Sequence, residues 1–415
     1  MKLKFGKDYQ KLHIEDANVL QVIEGNDVKG SDDPVGMVKE ALQNPIGTPR
    51  LSEIIKQKNA KSIVIIVNDI TRPTPYNYML PPLIEELDAA QVDPKNVKFI
   101  VATGSHRAHT ADENRSIFGD YVDKYTFVSH SCDENLSPLG KLSNGIELLI
   151  NSDVVNADVR IVTGMVDLHY IAGFSGGRKS ILPGVAGREL ITANHSMMTE
   201  PKATTGNFAD NPVHLIQMEA AKKVGVDFLL TIVQNTHKEF VRVAAGDIEQ
   251  AWLEGVKACQ SVNMVFVDKQ ADVAIGSAGG FPKDINIYQS QKGIDNMDYI
   301  VKDGGTIILL AECSEGFGEH TFEEWVMASN SMEDIFERFA KGFVLGGHKA
   351  YAICKVLKQK EVCLVTSMPE HLVKKMFMRP FATVDEALAY AKEKHGEKFT
   401  AYIMPMAGVV LPQVK

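Results

Sequence analysis

A chain of 415 residues is longer than one ordinary hydrophobic core supports, since single cores usually stop growing at roughly 250–300 residues, so two domains are expected. With 45% hydrophobic and 23% charged residues, the composition is typical of a globular protein and excludes the disordered and fibrous classes. The formal net charge of −9, without any run of basic residues, argues against nucleic-acid and membrane-surface partners and favours a small molecule.

The opening segment and the cysteines indicate the compartment. MKLKFGKDYQKL lacks the apolar stretch of a signal peptide, and no segment approaches the roughly 18 apolar residues that cross a bilayer. The five cysteines are scattered without a C-x-x-C pair, which predicts buried free thiols and neither disulfides nor a thiolate zinc site. We therefore expect a cytoplasmic protein.

Three short apolar segments of the first domain predict buried strands that end in polar loops. They are residues 61–69, which run into TRPTP, residues 97–107, which end in GSHR, and residues 159–169, which run into a glycine-rich loop. Helix-like segments such as YMLPPLIEELDAA and ADENRSIFG lie between them. The alternation predicts an α/β fold with a mainly parallel sheet whose carboxyl-end loops carry the chemistry.

The same pattern restarts after about residue 265. ADVAIGSAGGFPKD, TIILLAECSEGFG, EVCLVTS and FTAYIMP are further strand candidates separated by helical segments. We therefore predict two α/β domains with mainly parallel sheets, residues 1–265 and residues 266–415, and expect the active site in the cleft between them.

The first candidate loop is Asp69-Ile70-Thr71-Arg72-Pro73-Thr74-Pro75. The proline after Arg72 restricts the backbone of that residue and so holds its guanidinium in one direction. Such an arginine suits bidentate recognition of a carboxylate. A salt bridge to Asp69 within the loop is the structural alternative.

The glycine-rich segment that follows His169 predicts a phosphate cradle. Consecutive N–H groups around Ser175, Gly176 and Gly177 could bind a nucleotide phosphate, with Arg178 as a further donor. A P-loop starting at Gly173 is excluded, because it requires glycine where this chain has Arg178. A tight turn without a ligand is the alternative.

Histidines at two predicted strand ends are candidates for acid–base chemistry. His106 and His169 both follow apolar segments, although a single histidine is more often a hydrogen-bonded structural residue. His195 follows PGVAGRELITAN, in or just after a short helix. In the second domain, a helix from residue 285 would place Tyr288, Gln291 and Lys292 close together on one face, which could equally be a solvated surface.

Together these segments resemble the lactate racemase family, whose members interconvert D- and L-2-hydroxy acids with a nickel pincer nucleotide. The resemblance runs from NDITRPTP at 68 through GSHR at 104 and HYIAGFSGGRKSILPGVAG at 169 to NH at 194 and GGFPKDINIYQSQK at 279. Several segments in one order are far more specific than any one motif.

The resemblance implies a role for each matching residue. His106 and His169 match the catalytic pair, Lys179 matches the lysine that tethers the cofactor, and His195 matches the nickel ligand. Substrate-binding positions are Arg72, Tyr288, Gln289 and Lys292, and cofactor-binding positions are Asp69, Thr71, Ser175, Gly176 and Gly177. Cofactor-assembly proteins are the implied partners, besides the 2-hydroxy acid itself.

The chemistry of a 2-hydroxy acid explains the pair of histidines. Its α-hydrogen is poorly acidic because the adjacent carboxylate is already negative, so hydride removal through a planar 2-keto acid avoids a costly carbanion. Return of the hydride to the other face inverts the centre. One base for each hand of the substrate satisfies this symmetry.

The exact substrate and two other classes of function stay open. The lactate enzyme has an indole late in the chain that lines the pocket, whereas the only tryptophans here are Trp252 and Trp325 and GGHKAYAICK offers no secure substitute, so malate, a longer hydroxy acid or an aldonate are alternatives. A non-catalytic cofactor- or nickel-binding protein would keep Lys179 and His195 but needs no histidine pair. An NAD-dependent dehydrogenase is disfavoured, because no G-x-G-x-x-G fingerprint is present.

Overall fold

The computed structural model describes residues 1–344 and 346–415. The chain divides into two compact units. The central unit comprises residues 27–262, and the terminal unit comprises residues 1–26 together with residues 263–415.

The chain begins with strands β1 (Lys2–Phe5), β2 (Asp8–Lys11) and β3 (Val19–Val22). The strands that follow in the central unit are β4 (Ile63–Asn68), β5 (Val97–Ala102), β6 (Thr126–Ser129), β7 (Leu136–Lys141), β8 (Glu147–Asn151), β9 (Val159–Met165), β10 (Leu168–His169), β11 (Gly173–Phe174), β12 (Phe228–Gln234) and β13 (Phe240–Gly246). Its helices are α1 (Pro34–Gln43), α2 (Leu51–Gln57), α3 (Tyr76–Ala89), α4 (Ala111–Phe118), α5 (Tyr121–Lys124), α6 (Ser152–Asn156), α7 (Arg188–Ser196), α8 (Pro212–Val224) and α9 (Gln250–Asn263), the last ending at the boundary.

The remaining strands belong to the terminal unit and are β14 (Met264–Val267), β15 (Ala271–Ser277), β16 (Val301–Leu310), β17 (Glu361–Val365), β18 (Arg379–Phe381), β19 (Ala401–Met404) and β20 (Leu411–Val414). Its helices are α10 (Ile287–Asp298), α11 (His320–Ala328), α12 (Met332–Ala340), α13 (Gly347–Leu357), α14 (Glu370–Lys375) and α15 (Val384–His395).

The central unit is built on a six-stranded sheet in the order β13-β12-β9-β4-β5-β6. All neighbours are parallel except β12 and β13, which form an antiparallel edge. Strand β4 is rich in β-branched residues and is buried over Ile63–Val67, as expected for a strand with helices on both faces of its sheet. After β4, the chain adds β5 and β6 on one side of β4 and later adds β9 on its other side. The strand order therefore reverses between β4 and β9, which makes their carboxyl ends a topological switch point.

The terminal unit holds a second six-stranded sheet, in the order β18-β17-β16-β15-β19-β3, and all its pairs are parallel. The predicted strands in ADVAIGS, TIILL, EVCLV and AYIM form β15, β16, β17 and β19. The prediction of an α/β fold with mainly parallel sheets is therefore confirmed.

The first residues differ from the expectation that residues 1–265 form one domain. Strand β3 pairs with β19 and extends the sheet of the terminal unit, and Leu3 and Leu12 pack in its core. This pairing joins Val19 to Ala401, near the opposite end of the sequence, which no local pattern reveals.

Two further sequence expectations concern thiols and membranes. All five cysteines are free and buried, as predicted. Within residues 1–344 and 346–415, none of the helices combines the length and the apolar character needed to cross a bilayer.

Candidate active site

Polar side chains collect at the carboxyl ends of three neighbouring strands of the central unit. Asp69 directly follows β4, His106 lies in the loop after β5, and His169 ends the short strand β10 after β9. Because β5, β4 and β9 are adjacent in the sheet, these loops emerge at the same edge, on the two sides of the switch point.

Asp69 and His106 form a hydrogen-bonded pair. Asp69 is buried, its Oδ2 lies 2.6 Å from His106 Nδ1, and its Oδ1 accepts a hydrogen bond from the Thr71 hydroxyl at 2.7 Å. Burial alone would raise the pKa of Asp69, but the hydrogen bonds from His106 and Thr71 outweigh it and lower this pKa. The ionised carboxylate places the ring proton on Nδ1 and leaves Nε2 of His106 as the basic nitrogen.

His169 carries its ring proton on Nε2, whereas His106 carries it on Nδ1. Its Nδ1 accepts hydrogen bonds from the N–H groups of Ile171 and Ala172 at 3.4 and 3.2 Å. Burial lowers the pKa of His169 well below its ordinary value, and the nearby positive charge of Arg72 adds to this effect, so the ring is neutral. With Nδ1 accepting, the single ring proton lies on Nε2.

Lys179 is the neighbour of that proton. Its Nζ lies 3.3 Å from His169 Nε2, and the residue sits in a tight turn over residues 177–180. Burial lowers the pKa of Lys179 well below its ordinary value, and the charges of Arg178 and Arg72 lower it further. This setting favours the free-amine form of Lys179, the form that bonds covalently to a carbonyl-type group.

His195 has the tautomer of a metal ligand. Near the end of α7, its Nδ1 lies 2.8 Å from the Ile191 carbonyl oxygen, to which it donates. Burial lowers the pKa of His195 to about 4. The neutral ring therefore directs a lone pair from Nε2, as metal-binding histidines do when a carbonyl fixes the other nitrogen.

Positive charge dominates this part of the central unit. The positive charges of Arg72 and Arg178 act on both His169 and Lys179, and His106 acts on His195, so these groups share one electrostatic environment. Arg72 is exposed and donates to the Thr71 carbonyl at 3.2 Å, rather than forming the salt bridge with Asp69 that was the alternative. An anion is attracted here although the whole chain is negative.

The glycine-rich loop differs from the predicted phosphate cradle at two residues. Ser175 uses its hydroxyl within the loop, donating to the Met165 carbonyl and accepting from the Asp167 N–H. Arg178 is not available to a ligand, because it is fully buried and hydrogen-bonded to protein groups. Gly176 and Gly177 both have positive φ, and a Cβ at Gly177 would lie 2.8 Å from Trp252 Cδ1.

In the terminal unit, the helix predicted from residue 285 is α10. Tyr288 is half-buried between Phe322 and His348, whereas Gln289 and Lys292 are exposed. Gln291 is fully buried, so the alternative of a solvated helix surface does not apply to it.

Sequence reasoning missed a buried lysine beside this helix. Lys349 on α13 is 4% exposed, donates to Gln291 Oε1 at 2.6 Å and lies 5.4 Å from the centre of the Tyr288 ring. Burial lowers the pKa of Lys349 to about 8, and burial raises the pKa of Asp295, one turn along α10 from Gln291, to about 6. The available signal was a lysine directly before the largely apolar segment AYAIC of the helix GHKAYAICKVL.

Known proteins resemble this chain along nearly all of its length. The lactate racemase N-terminal domain family matches residues 5–206, and the lactate racemase C-terminal domain family matches residues 266–411. A lactate racemase from Thermoanaerobacterium thermosaccharolyticum is 36% identical over 404 residues, 94% of each chain, and one from Lactiplantibacillus plantarum is 34% identical over 378 residues, 88% of each.

A solved structure extends the similarity to three dimensions. The lactate racemase apoprotein from Thermoanaerobacterium thermosaccharolyticum superposes with a TM-score of 0.90 at 34% sequence identity, covering 100% of this chain and 99% of that one. Both family domains, their order and the matching fold lead to one conclusion. The chain belongs to the lactate racemase family.

Proposed function

We propose that this protein racemises lactate, passing through pyruvate, with a nickel pincer nucleotide attached to Lys179. The observation that carries the proposal is how two histidines are held at neighbouring strand ends: the Asp69 carboxylate holds His106 by Nδ1, and backbone N–H groups hold His169 by Nδ1, so each ring keeps its Nε2 for proton exchange. A racemase that works through a planar keto acid needs one group that accepts the hydroxyl proton and another that returns a proton.

The residues of the central unit fit the proposed cofactor. A half-buried free amine at Lys179 suits a covalent tether, and the lone pair on His195 Nε2 suits a nickel ligand. Among residues 1–344 and 346–415, no group of three or more His, Cys, Asp or Glu side chains could hold a metal, so most donors would come from the cofactor itself. Such a group supplies, when bound, reversible acceptance of the α-hydrogen as hydride.

The protein groups then handle the carboxylate and the proton. Arg72 attracts the substrate carboxylate, and we place Tyr288, Gln289 and Lys292 as further substrate-binding residues and Thr71, Gly176 and Gly177 near the cofactor. For one hand of lactate, His106 Nε2 accepts the hydroxyl proton while Asp69 stabilises the charged ring. Acylation of Lys179 removes the amine lone pair that His169 Nε2 faces, which allows this nitrogen to act on substrate.

A mass measurement tests the tether and the metal together. The chain is produced with and without co-expressed cofactor-assembly proteins, and its intact mass, nickel content and peptide map are compared. We expect a nucleotide-sized adduct on Lys179 with nickel only after co-expression, none in Lys179→Arg, and an unchanged adduct in the exposed control Lys238→Arg. Active, matured protein without adduct or nickel would overturn the mechanism.

A substrate panel tests the reaction. Loaded protein is incubated with single enantiomers of lactate, malate, a longer 2-hydroxy acid and an aldonate, and the products are separated on a chiral column. Inversion of lactate in preference to the others supports the proposal. Preference for another acid would change the assigned substrate and leave the proposed reaction unchanged. An adduct without turnover of any acid would favour the non-catalytic cofactor-binding alternative.

A further inference from the structure

Arg178 is an unusual residue to find in the interior. It has no exposed surface, and it donates five hydrogen bonds, as many as it has N–H groups. Nε donates to His214 Nδ1 at 2.9 Å, Nη1 to the carbonyls of Ser175 and Gly176 at 3.2 Å, and Nη2 to those of Ala172 and Phe174 at 2.9 Å. The five acceptors are a histidine ring and four backbone carbonyls, all uncharged.

Trp252 supports the guanidinium from one side. The Arg178 Cζ lies 4.0 Å from the centre of the indole, and the His214 ring stacks on the same indole at 4.9 Å. The indole Nε1 donates to the Ser175 carbonyl at 2.9 Å, and Gly177 contacts Trp252 so closely that a Cβ would clash. The loop over residues 172–177 is thus folded around Arg178 and against Trp252.

The neutral state of His214 is part of this arrangement. Its Nδ1 accepts from Arg178, so the ring proton lies on Nε2. Burial lowers the pKa of His214 to about 3, and the charge of Arg178 lowers it further. The ring therefore stays an acceptor for Arg178 throughout the neutral range.

Lys179 follows Arg178 directly and takes its position from this loop. The His169 ring accepts at Nδ1 and is neutral, so its Nε2 carries a proton that faces Lys179 Nζ at 3.3 Å. An ammonium group has no lone pair and cannot accept that proton. The hydrogen bond therefore requires Lys179 to be an uncharged amine.

We propose that Arg178 is a positioning residue: it binds the carbonyls of Ala172, Phe174, Ser175 and Gly176 and so holds Lys179 as an uncharged amine against His169, ready for covalent modification. The proposal deepens the proposed function and rests on Lys179 being the tether. The nearby charges also favour the uncharged amine, because Arg178 and Arg72 both disfavour an ammonium at Lys179. His169 and His195 lie in the same electrostatic environment.

The test measures the reactivity of Lys179 in the full chain made without cofactor-assembly proteins. Trace acylation with acetic anhydride is monitored by peptide mass spectrometry at several pH values between 8 and 10. Nα-acetyl-lysine, whose side-chain amine is free, is present in the same tube as the reference amine. The rate for an ordinary amine of pKa about 10.4 rises roughly 70-fold over this range. We expect the rate at wild-type Lys179 to change less than about threefold, since an amine already uncharged has nothing further to lose.

Three variants separate position, charge and stability. Arg178→Met removes all five donors, and Arg178→Lys keeps a charge but lacks the planar fork. Phe118→Leu weakens a core cluster of the same unit that does not contain Arg178. We expect steep pH dependence at Lys179 in both Arg178 variants and a flat profile in Phe118→Leu. The slope is unaffected by changes in access, which scale the rate equally at every pH.

Several outcomes would overturn the proposal. One is a wild-type Lys179 acylation rate that rises with pH as steeply as that of Nα-acetyl-lysine. The others are a Lys179 rate that is independent of pH in either Arg178 variant, or one that depends steeply on pH in Phe118→Leu. None of these results depends on the nickel cofactor. If the reactivity results hold but co-expressed protein carries no adduct on Lys179, the proposed function fails while the role of Arg178 stands.

Discussion

Asp69 Oδ2 lies 2.6 Å from Nδ1 of His106, and the buried carboxylate fixes which nitrogen of that ring is basic. Loop positions that are 37 residues apart in sequence become partners because β4 and β5 are neighbours in the sheet. The sequence suggested a cofactor contact for Asp69. The structure adds a role for it in orienting His106.

Replacement of this carboxylate should damage catalysis without unfolding the protein. Asp69→Asn retains the size of the side chain but favours the wrong tautomer of His106, so we expect kcat for racemisation to fall by about 10²–10⁴-fold. The chiral assay on cofactor-loaded protein measures this. Thr71→Val is the matched comparison, because it removes the hydroxyl that donates to Asp69 and accepts from Arg72 at 3.4 Å but keeps the bond between Asp69 and His106, so it should cost less than about tenfold. Equal losses in the two variants would contradict the orienting role.

The two histidines should be needed for turnover but not for cofactor attachment. His106→Gln and His169→Gln each remove one proton carrier, and we expect racemisation to fall by about 10²–10⁴-fold in either variant. The intact mass of His106→Gln should still show the full Lys179 adduct. His169→Gln tests a second point, because loss of the hydrogen bond to Lys179 should slow attachment. Full turnover in either variant would contradict the paired roles.

The strand ends and their polar loops could be predicted from sequence, whereas the contacts that shape the site could not. Apolar segments rich in β-branched residues predicted β4, β5 and β9, and parallel strands bring their carboxyl ends together. Arg178, by contrast, was expected to face a ligand. Its partner His214 is 36 residues away and Trp252 lies farther along the chain, so only the folded structure shows that it faces inward.

In the terminal unit, too, the sequence predicted local neighbours but not long-range contacts. Spacing along α10 predicted which residues are neighbours on the helix but not which side is covered. Lys349, 58 residues from Gln291, covers that side and buries Gln291.

His195 should control nickel and not the nucleotide. We expect His195→Ala, matured with the assembly proteins, to keep the mass of the nucleotide adduct on Lys179 but to lose most of its nickel, since one of the metal's ligands is gone. Nickel analysis and intact mass on the same sample separate the two quantities. His237→Ala, at an exposed position, serves as the control and should retain both. Undiminished nickel in His195→Ala would show that another group binds the metal.

The buried Lys349 should give the terminal unit a characteristic dependence of stability on pH. Its pKa is about 8 in the folded state, below the roughly 10.4 of an unfolded lysine, so the unfolded chain binds more protons between these values. Stability therefore rises as pH increases from about 8 to 10. Asp295 acts in the opposite sense at lower pH, because its folded pKa of about 6 exceeds the unfolded value near 3.9, and stability falls as pH rises from about 4 to 6.

Lys349→Met tests this assignment, because it removes the charge with little change in volume. Hydrogen exchange of the amides in β15 and β16 reports on opening of the terminal unit, and the difference between the wild type and the variant cancels the other titrating groups. We expect the rise in protection between pH 8 and 10 to disappear in Lys349→Met. The fall between pH 4 and 6 should become larger, since Asp295 loses the nearest charge that lowers its pKa. Lys358→Met, on a lysine just after α13, should leave both trends unchanged, and an unaltered rise in Lys349→Met would assign it to a different group.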